Sequence, residues 1–135
     1  MKVKAKYPKS KITNLGHSQG AVITKQLNKE GLMLGISSKK LLSENYISAL
    51  KTGNSLPYIL AGLEQQKNNL DDILIQNNKG EIAEAISSNV FVMYNKKIWT
   101  PPLSSGCVSG TMRRWLLDHQ PLPIEEKEIT QHQLQ

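Results

Sequence analysis

Leu56, Leu60 and Leu63, with Ile59 beside them, recur at the three- and four-residue spacing of one helix face. Ser55 ahead of Leu56 and Pro57 suits a cap followed by a first-turn proline, and Asn68 and Asn69 suit an end. The pattern predicts a helix over residues 55–67. Strand signals follow. Ile73, Leu74 and Ile75 form a short apolar run over residues 72–76. Residues 77–80, Asn-Asn-Lys-Gly, are a strong turn signal, and residues 81–85 return as a second strand. Residues 90–94 and 98–100 predict two more strands around a turn at 95–97, stopped by Pro101 and Pro102, which lack a ladder donor. A Gly/Ser-rich loop over 104–109 leads through Gly110 to a helix over 111–118. Residues 125–129 predict a last strand, and the chain from Thr130 onwards looks like the start of a further element. Upstream, residues 31–36 predict a strand, the polar residues 37–43 a loop, and residues 46–50 an extended segment. A short strand at 11–14, a glycine-bounded turn at 16–20 and a two-turn helix at 21–27 complete an α+β reading.

Charge divides the chain. Residues 1–30 hold seven lysines against Glu30 alone, while residues 31–135 hold ten basic and ten acidic residues. This gives two segments, 1–30 and 31–135. The basic segment invites an anionic partner, but without interleaved aromatics or a nucleic-acid module it reads as a solvated edge, and no nucleic acid is expected. The absence of an apolar run near 18 residues, and of an apolar stretch after the basic N-terminus, argues against a membrane span or a secretory signal. A single cysteine, Cys107, suits a reducing compartment, hence a cytoplasmic protein. The length of 135 residues fits one small domain.

Composition does not distinguish one lysine among fifteen. Lys51 lies between an extended segment and an apolar helix, where a buried stem would lower the ammonium pKa and free the amine to attack a carbonyl. The residues around it go further. LKTGNSLPYILAGLE at 50–64, LDDILIQNNKGEIAEAISSNVFVMY at 70–94 and IWTPPLSSGCVSGTMRR at 98–114 stand in the order and near the spacing of three segments of class IV aminotransferases, which the chain resembles over roughly residues 30–135. That family includes branched-chain and D-amino acid aminotransferases and aminodeoxychorismate lyase. The resemblance implies the core of the family's C-terminal domain, incomplete here, with pyridoxal 5'-phosphate as cofactor and an amino acid or keto acid as substrate. It also implies a homodimer for the full enzyme, and no metal.

Residue by residue, Lys51 matches the lysine that forms the Schiff base and then moves the substrate's proton. Glu84 matches the carboxylate that keeps the pyridine nitrogen protonated, so that the ring accepts electrons. Without the surrounding motif, Glu84 would read as a solvated strand glutamate. Ser87, Ser88 and Asn89 resemble the polar turn beside the ring, bonded to the cofactor or to the loop itself. Gly110, Thr111 and Met112 match the phosphate-binding helix start, where free N–H groups suit an anion. The family's aminotransferases often have threonine where this chain has Met112, and Gly-x-Met-Arg looks more like aminodeoxychorismate lyase. Ser55 stands where branched-chain enzymes often have tyrosine. Arg113 reads as a structural partner of a carboxylate, Arg114 as surface, and Cys107 as a small buried residue.

The resemblance further implies that the family's N-terminal domain and later C-terminal portion lie outside this chain. The chain alone is then expected to have little transaminase activity, because catalysis needs a closed, oriented site. An inactive fragment serving binding or assembly is the non-enzymatic alternative. A rival signal sits at residues 16–20, Gly-His-Ser-Gln-Gly, which resembles the nucleophile elbow of lipase-type α/β-hydrolases with Ser18 as nucleophile. Its partners would be Asp71 or Asp72 and His119 or His132, around which nothing has the look of a hydrolase. The alternative is a plain glycine-bounded turn.

Overall fold

The computed structural model describes residues 32–43, 45, 47–50, 52–94, 97–119 and 123–134, and the backbone of Val3–Lys4. Lys51 and the Gly16, Ser18 and Gly20 turn lie outside the described residues. The strands are β1 (Val3–Lys4), β2 (Met33–Leu42), β3 (Asp72–Asn77), β4 (Glu81–Ala85), β5 (Val92–Tyr94), β6 (Lys97–Thr100), β7 (Ile124–Glu126) and β8 (Ile129–Thr130). The α-helices are α1 (Leu56–Lys67) and α2 (Thr111–His119), with short 3-10 turns at Leu103–Ser105 and Gln131–Leu134. A five-stranded sheet runs β1-β2-β3-β4-β8, and a three-stranded sheet runs β5-β6-β7.

β2 and β3 are parallel, so the chain must cross over between them, and α1 makes that crossover. β3 turns back into β4 through the Asn-rich turn, where Gly80 adopts φ +87° and donates its N–H to the Asn77 carbonyl at 3.0 Å. The fully buried Asn77 amide bonds Glu81 at 2.8 Å and the Ser105 carbonyl at 3.3 Å, tying the hairpin to the loop before α2.

The large sheet buries both faces. Ile73, Ile75 and Ala83 pack with Ala61 of α1, Leu42 and Cys107. Leu74, Ile82, Ala85 and Ile129 pack with Trp99 of the small sheet. The β3–β4 register steps from Gln76↔Ile82 to Ile75↔Glu84, which leaves Ala83 as an extra residue. This bulge puts Glu84 opposite Ile75, on the α1 side of the sheet.

Several sequence expectations are corrected. Residues 37–43 are not a loop, because β2 continues to Leu42 and its polar half is anchored by Glu64 of α1. The Glu64 carboxylate accepts Ser37 Oγ–H at 3.0 Å and Ser38 N–H at 2.9 Å. Residues 47–50 turn instead of running extended, since Asn45 and Ile47 carbonyls accept the N–H groups of Ser48 and Leu50. Ser55 makes no side-chain cap. The single strand expected at 125–129 is two, β7 in the small sheet and β8 in the large one, because Lys127 N–H bonds the Thr100 carbonyl as the chain crosses between sheets. The Leu/Ile stripe of α1 does not face the sheet. Ala61 does, while Leu56, Ile59, Leu60 and Leu63 are exposed.

Candidate functional site

The Ala83 bulge, α1 and the start of α2 converge on one cavity of about 420 Å³. Glu84, Ser88, Asn89, Gly110, Thr111 and Met112 all line it, and so do Leu50 and Thr52, the chain neighbours of Lys51. The sequence motifs are thus brought together, apart from Lys51 itself, which is not described.

Glu84 is not a solvated strand residue: its exposure is 4%. Tyr58 of α1 donates its hydroxyl to Glu84 Oε1 at 2.6 Å, and Val108 donates its N–H to Oε2 at 3.0 Å. Burial raises the Glu84 pKa above the usual carboxylate value, and these two hydrogen bonds pull against that rise. The Tyr58 hydroxyl is raised well above its ordinary range, first by burial and then by the Glu84 charge. Tyr58 was not singled out from the sequence. The available signal was Ala61, the small residue that marks the sheet side of α1, one turn from Tyr58.

The helix side of the cavity is built by close packing. Gly110 precedes α2, and its carbonyl accepts the Arg114 N–H at 3.0 Å. A Cβ on Gly110 would overlap Asn89 Oδ1. Asn89 in turn donates Nδ2–H to the Val108 carbonyl at 2.9 Å, so its amide holds the loop, one of the two roles expected of it. The Ser88 carbonyl accepts the Ala85 N–H at 2.9 Å, closing the turn after β4. Ser109 N–H bonds the Ala49 carbonyl at 2.9 Å, which sets the loop before α2 against the segment leading to Lys51. Thr111 and Met112 in the first turn of α2 line the cavity with no acidic residue beside them, so the positive dipole end of that helix borders the cavity.

Arg113 is structural, as expected. It is buried, donates to the Pro101 carbonyl at 2.8 Å and pairs with Glu126 of β7, which fixes α2 to the small sheet. Arg114 is exposed. Cys107 is buried, and burial pushes its thiol up to about 11, so it stays protonated and unreactive near neutral pH. Three of the residues expected to accompany Ser18 have duties of their own. Asp71 and Asp72 accept the N–H groups of Met33 and Ile73, and the His119 ring meets the Trp115 carbonyl at 2.9 Å.

Fold and cavity define an α+β domain in which a buried carboxylate and a helix N-terminus share one ligand-sized cleft. The chain belongs to the amino-transferase class IV family, whose model matches residues 10–135, the Gly-His-Ser-Gln-Gly segment at 16–20 included. It is 26% identical over 91 residues to the aminodeoxychorismate lyase of Vibrio harveyi, covering 67% of this chain and 34% of that protein. The PLP-form of the branched-chain amino acid aminotransferase from Thermobaculum terrenum superposes with a TM-score of 0.68 at 26% identity, covering 76% of this chain and 36% of that one. A putative 4-amino-4-deoxychorismate lyase from Legionella pneumophila shares the fold, with a TM-score of 0.70 at 23% identity over 84% of this chain and 44% of that one. The chain spans about a third of the length of the curated relatives it matches. No described helix is long and apolar enough to cross a membrane.

Proposed function

We propose that the cavity binds pyridoxal 5'-phosphate and serves amino-group transfer between an amino acid and a 2-keto acid. The observation that carries this reading is the buried Glu84 carboxylate lining the same cavity as the first turn of α2. A carboxylate in so dry a place is stabilised by a cationic partner, and a helix N-terminus favours an anion. A ligand with a protonated ring nitrogen at one end and a phosphate at the other supplies both. Glu84 would accept the ring N–H. The backbone N–H groups of Thr111 and Met112 would hold the phosphate, a role that survives the loss of a threonine hydroxyl at Met112. Ser88 and Asn89 would flank the ring. When bound, the cofactor supplies an aldehyde that takes up the substrate's amino group and a ring that accepts electrons from its α-carbon. Lys51 would anchor the cofactor and carry the α-proton, work that suits a desolvated amine near neutral pH.

Absorbance titration of the chain with pyridoxal phosphate tests the reading, with E84Q and K51A beside the wild type. Saturable binding that weakens at least tenfold in both variants is expected. Equal binding by all three would contradict it. The similarity to the Vibrio harveyi protein, together with Met112, favours a second reading: lyase chemistry on aminodeoxychorismate. Consumption of that compound with no amino acceptor present separates the two.

The exposed stripe of Leu56, Ile59, Leu60 and Leu63 supports a packing partner on the outer face of α1, and a second copy of the chain is the partner proposed. Sedimentation analysis that finds only monomer would remove it.

A further inference from the structure

Glu84 is held from two sides by the protein itself. Tyr58 O–H reaches Oε1 at 2.6 Å and Val108 N–H reaches Oε2 at 3.0 Å. A carboxylate offers about four lone-pair sites, so acceptor capacity remains for a third donor, and Glu84 lines the cavity from which one would come. The Val108 bond belongs to the backbone. The Tyr58 bond comes from a side chain on α1 that lines the same cavity.

From this geometry we infer that Tyr58 is a positioning residue, whose hydroxyl orients the Glu84 carboxylate and stabilises its negative charge for a ring N–H in the cavity. The inference rests on the cofactor reading above and adds the group that prepares the carboxylate. Two effects oppose each other at Glu84. Burial favours the neutral acid, and hydrogen bonds to the charged form favour the carboxylate. With the Tyr58 hydroxyl removed, burial gains ground. A protonated Glu84 cannot hold a pyridinium nitrogen by charge. Tyr58 suits the task because burial and the facing Glu84 keep its own proton in place. Among the described residues, the other titratable group against this pair is Cys107, a neutral thiol near pH 7.

Tyr58 also packs against the core, so a variant must spare the ring. Y58F removes only the hydroxyl. In the cofactor-free chain carrying glutamate labelled with carbon-13 at the carboxyl, NMR follows the Glu84 signal, assigned by its loss in E84Q. The Glu84 midpoint is expected to rise by about one pH unit in Y58F, the size of one hydrogen bond to a charged group. The pH below which pyridoxal phosphate binding weakens is expected to rise by the same amount. A structural role alone would lower the melting temperature and leave both midpoints in place. An unmoved Glu84 midpoint, with cofactor still bound by the wild type, overturns the inference and leaves the cofactor reading standing. A shifted midpoint with no saturable cofactor binding by either chain overturns the cofactor reading, and the inference with it.

Discussion

Glu84 by itself reads as a solvated strand glutamate, and only the motif around it marks it out. The structure gives the physical reason for its difference: it is buried, hydrogen-bonded through both oxygens and raised in pKa by desolvation. A carboxyl whose folded pKa lies above its unfolded value of 4.5 binds more protons folded than unfolded between those two values. Its contribution to stability is full below the unfolded value and is lost as pH rises through the folded one. Urea unfolding of the cofactor-free chain from pH 4 to pH 8 should therefore show wild type losing stability relative to E84Q. A constant difference across that range would contradict the assignment. Gly110 makes a second residue-scale case. Because its Cβ would overlap Asn89, G110A is expected to cost about 1–3 kcal/mol by overpacking, and N89A to recover part of that cost in thermal melts. Cys107 should react with thiol reagents at pH 8 only as fast as the chain opens, since the thiol is buried and its pKa is about 11.

At the scale of elements, most of the strands and both helices are legible in the sequence because each carries a local cause: apolar runs in β3, the Asn-Asn-Lys-Gly turn, two prolines after β6, and Gly110 before α2. What is not legible has non-local causes. The second half of β2 is polar, and it stays a strand because Glu64 accepts its Ser37 and Ser38 donors from across the crossover. The Ala83 bulge, invisible to a period of two, turns Glu84 towards α1. The outward stripe of α1 reads as a core face by periodicity, yet the helix meets the sheet through Ala61, a small residue that allows close approach. Ala61→Leu should cost about 1–3 kcal/mol by overpacking against the β-sheet, whereas Leu63→Lys, at a position 59% exposed, should change the stability of the monomer by less than about 0.5 kcal/mol. Chemical denaturation of the two variants checks both. A larger loss in Leu63→Lys than in Ala61→Leu would mean that α1 sits the other way round.

At the scale of the molecule, α2 is locked to the small sheet by Arg113, which reaches the Pro101 carbonyl and Glu126, and the cavity opens between the start of α2, the end of β4 and α1. Three segments far apart in sequence, around residues 50, 84 and 110, each read as a motif of one family, and the fold makes them the walls of one cleft. Their order along the chain could be read from the sequence; their meeting could not, because it depends on the parallel β2–β3 pairing and the loop bond from Ser109 to Ala49. We propose that this cleft is a pyridoxal phosphate site with its amine at Lys51. Borohydride reduction after incubation with the cofactor, followed by peptide mass mapping, tests it most directly. A pyridoxyl adduct concentrated on Lys51, absent in K51A and diminished in E84Q, is expected. Labelling scattered over the fifteen lysines, with no preference for Lys51, would contradict it.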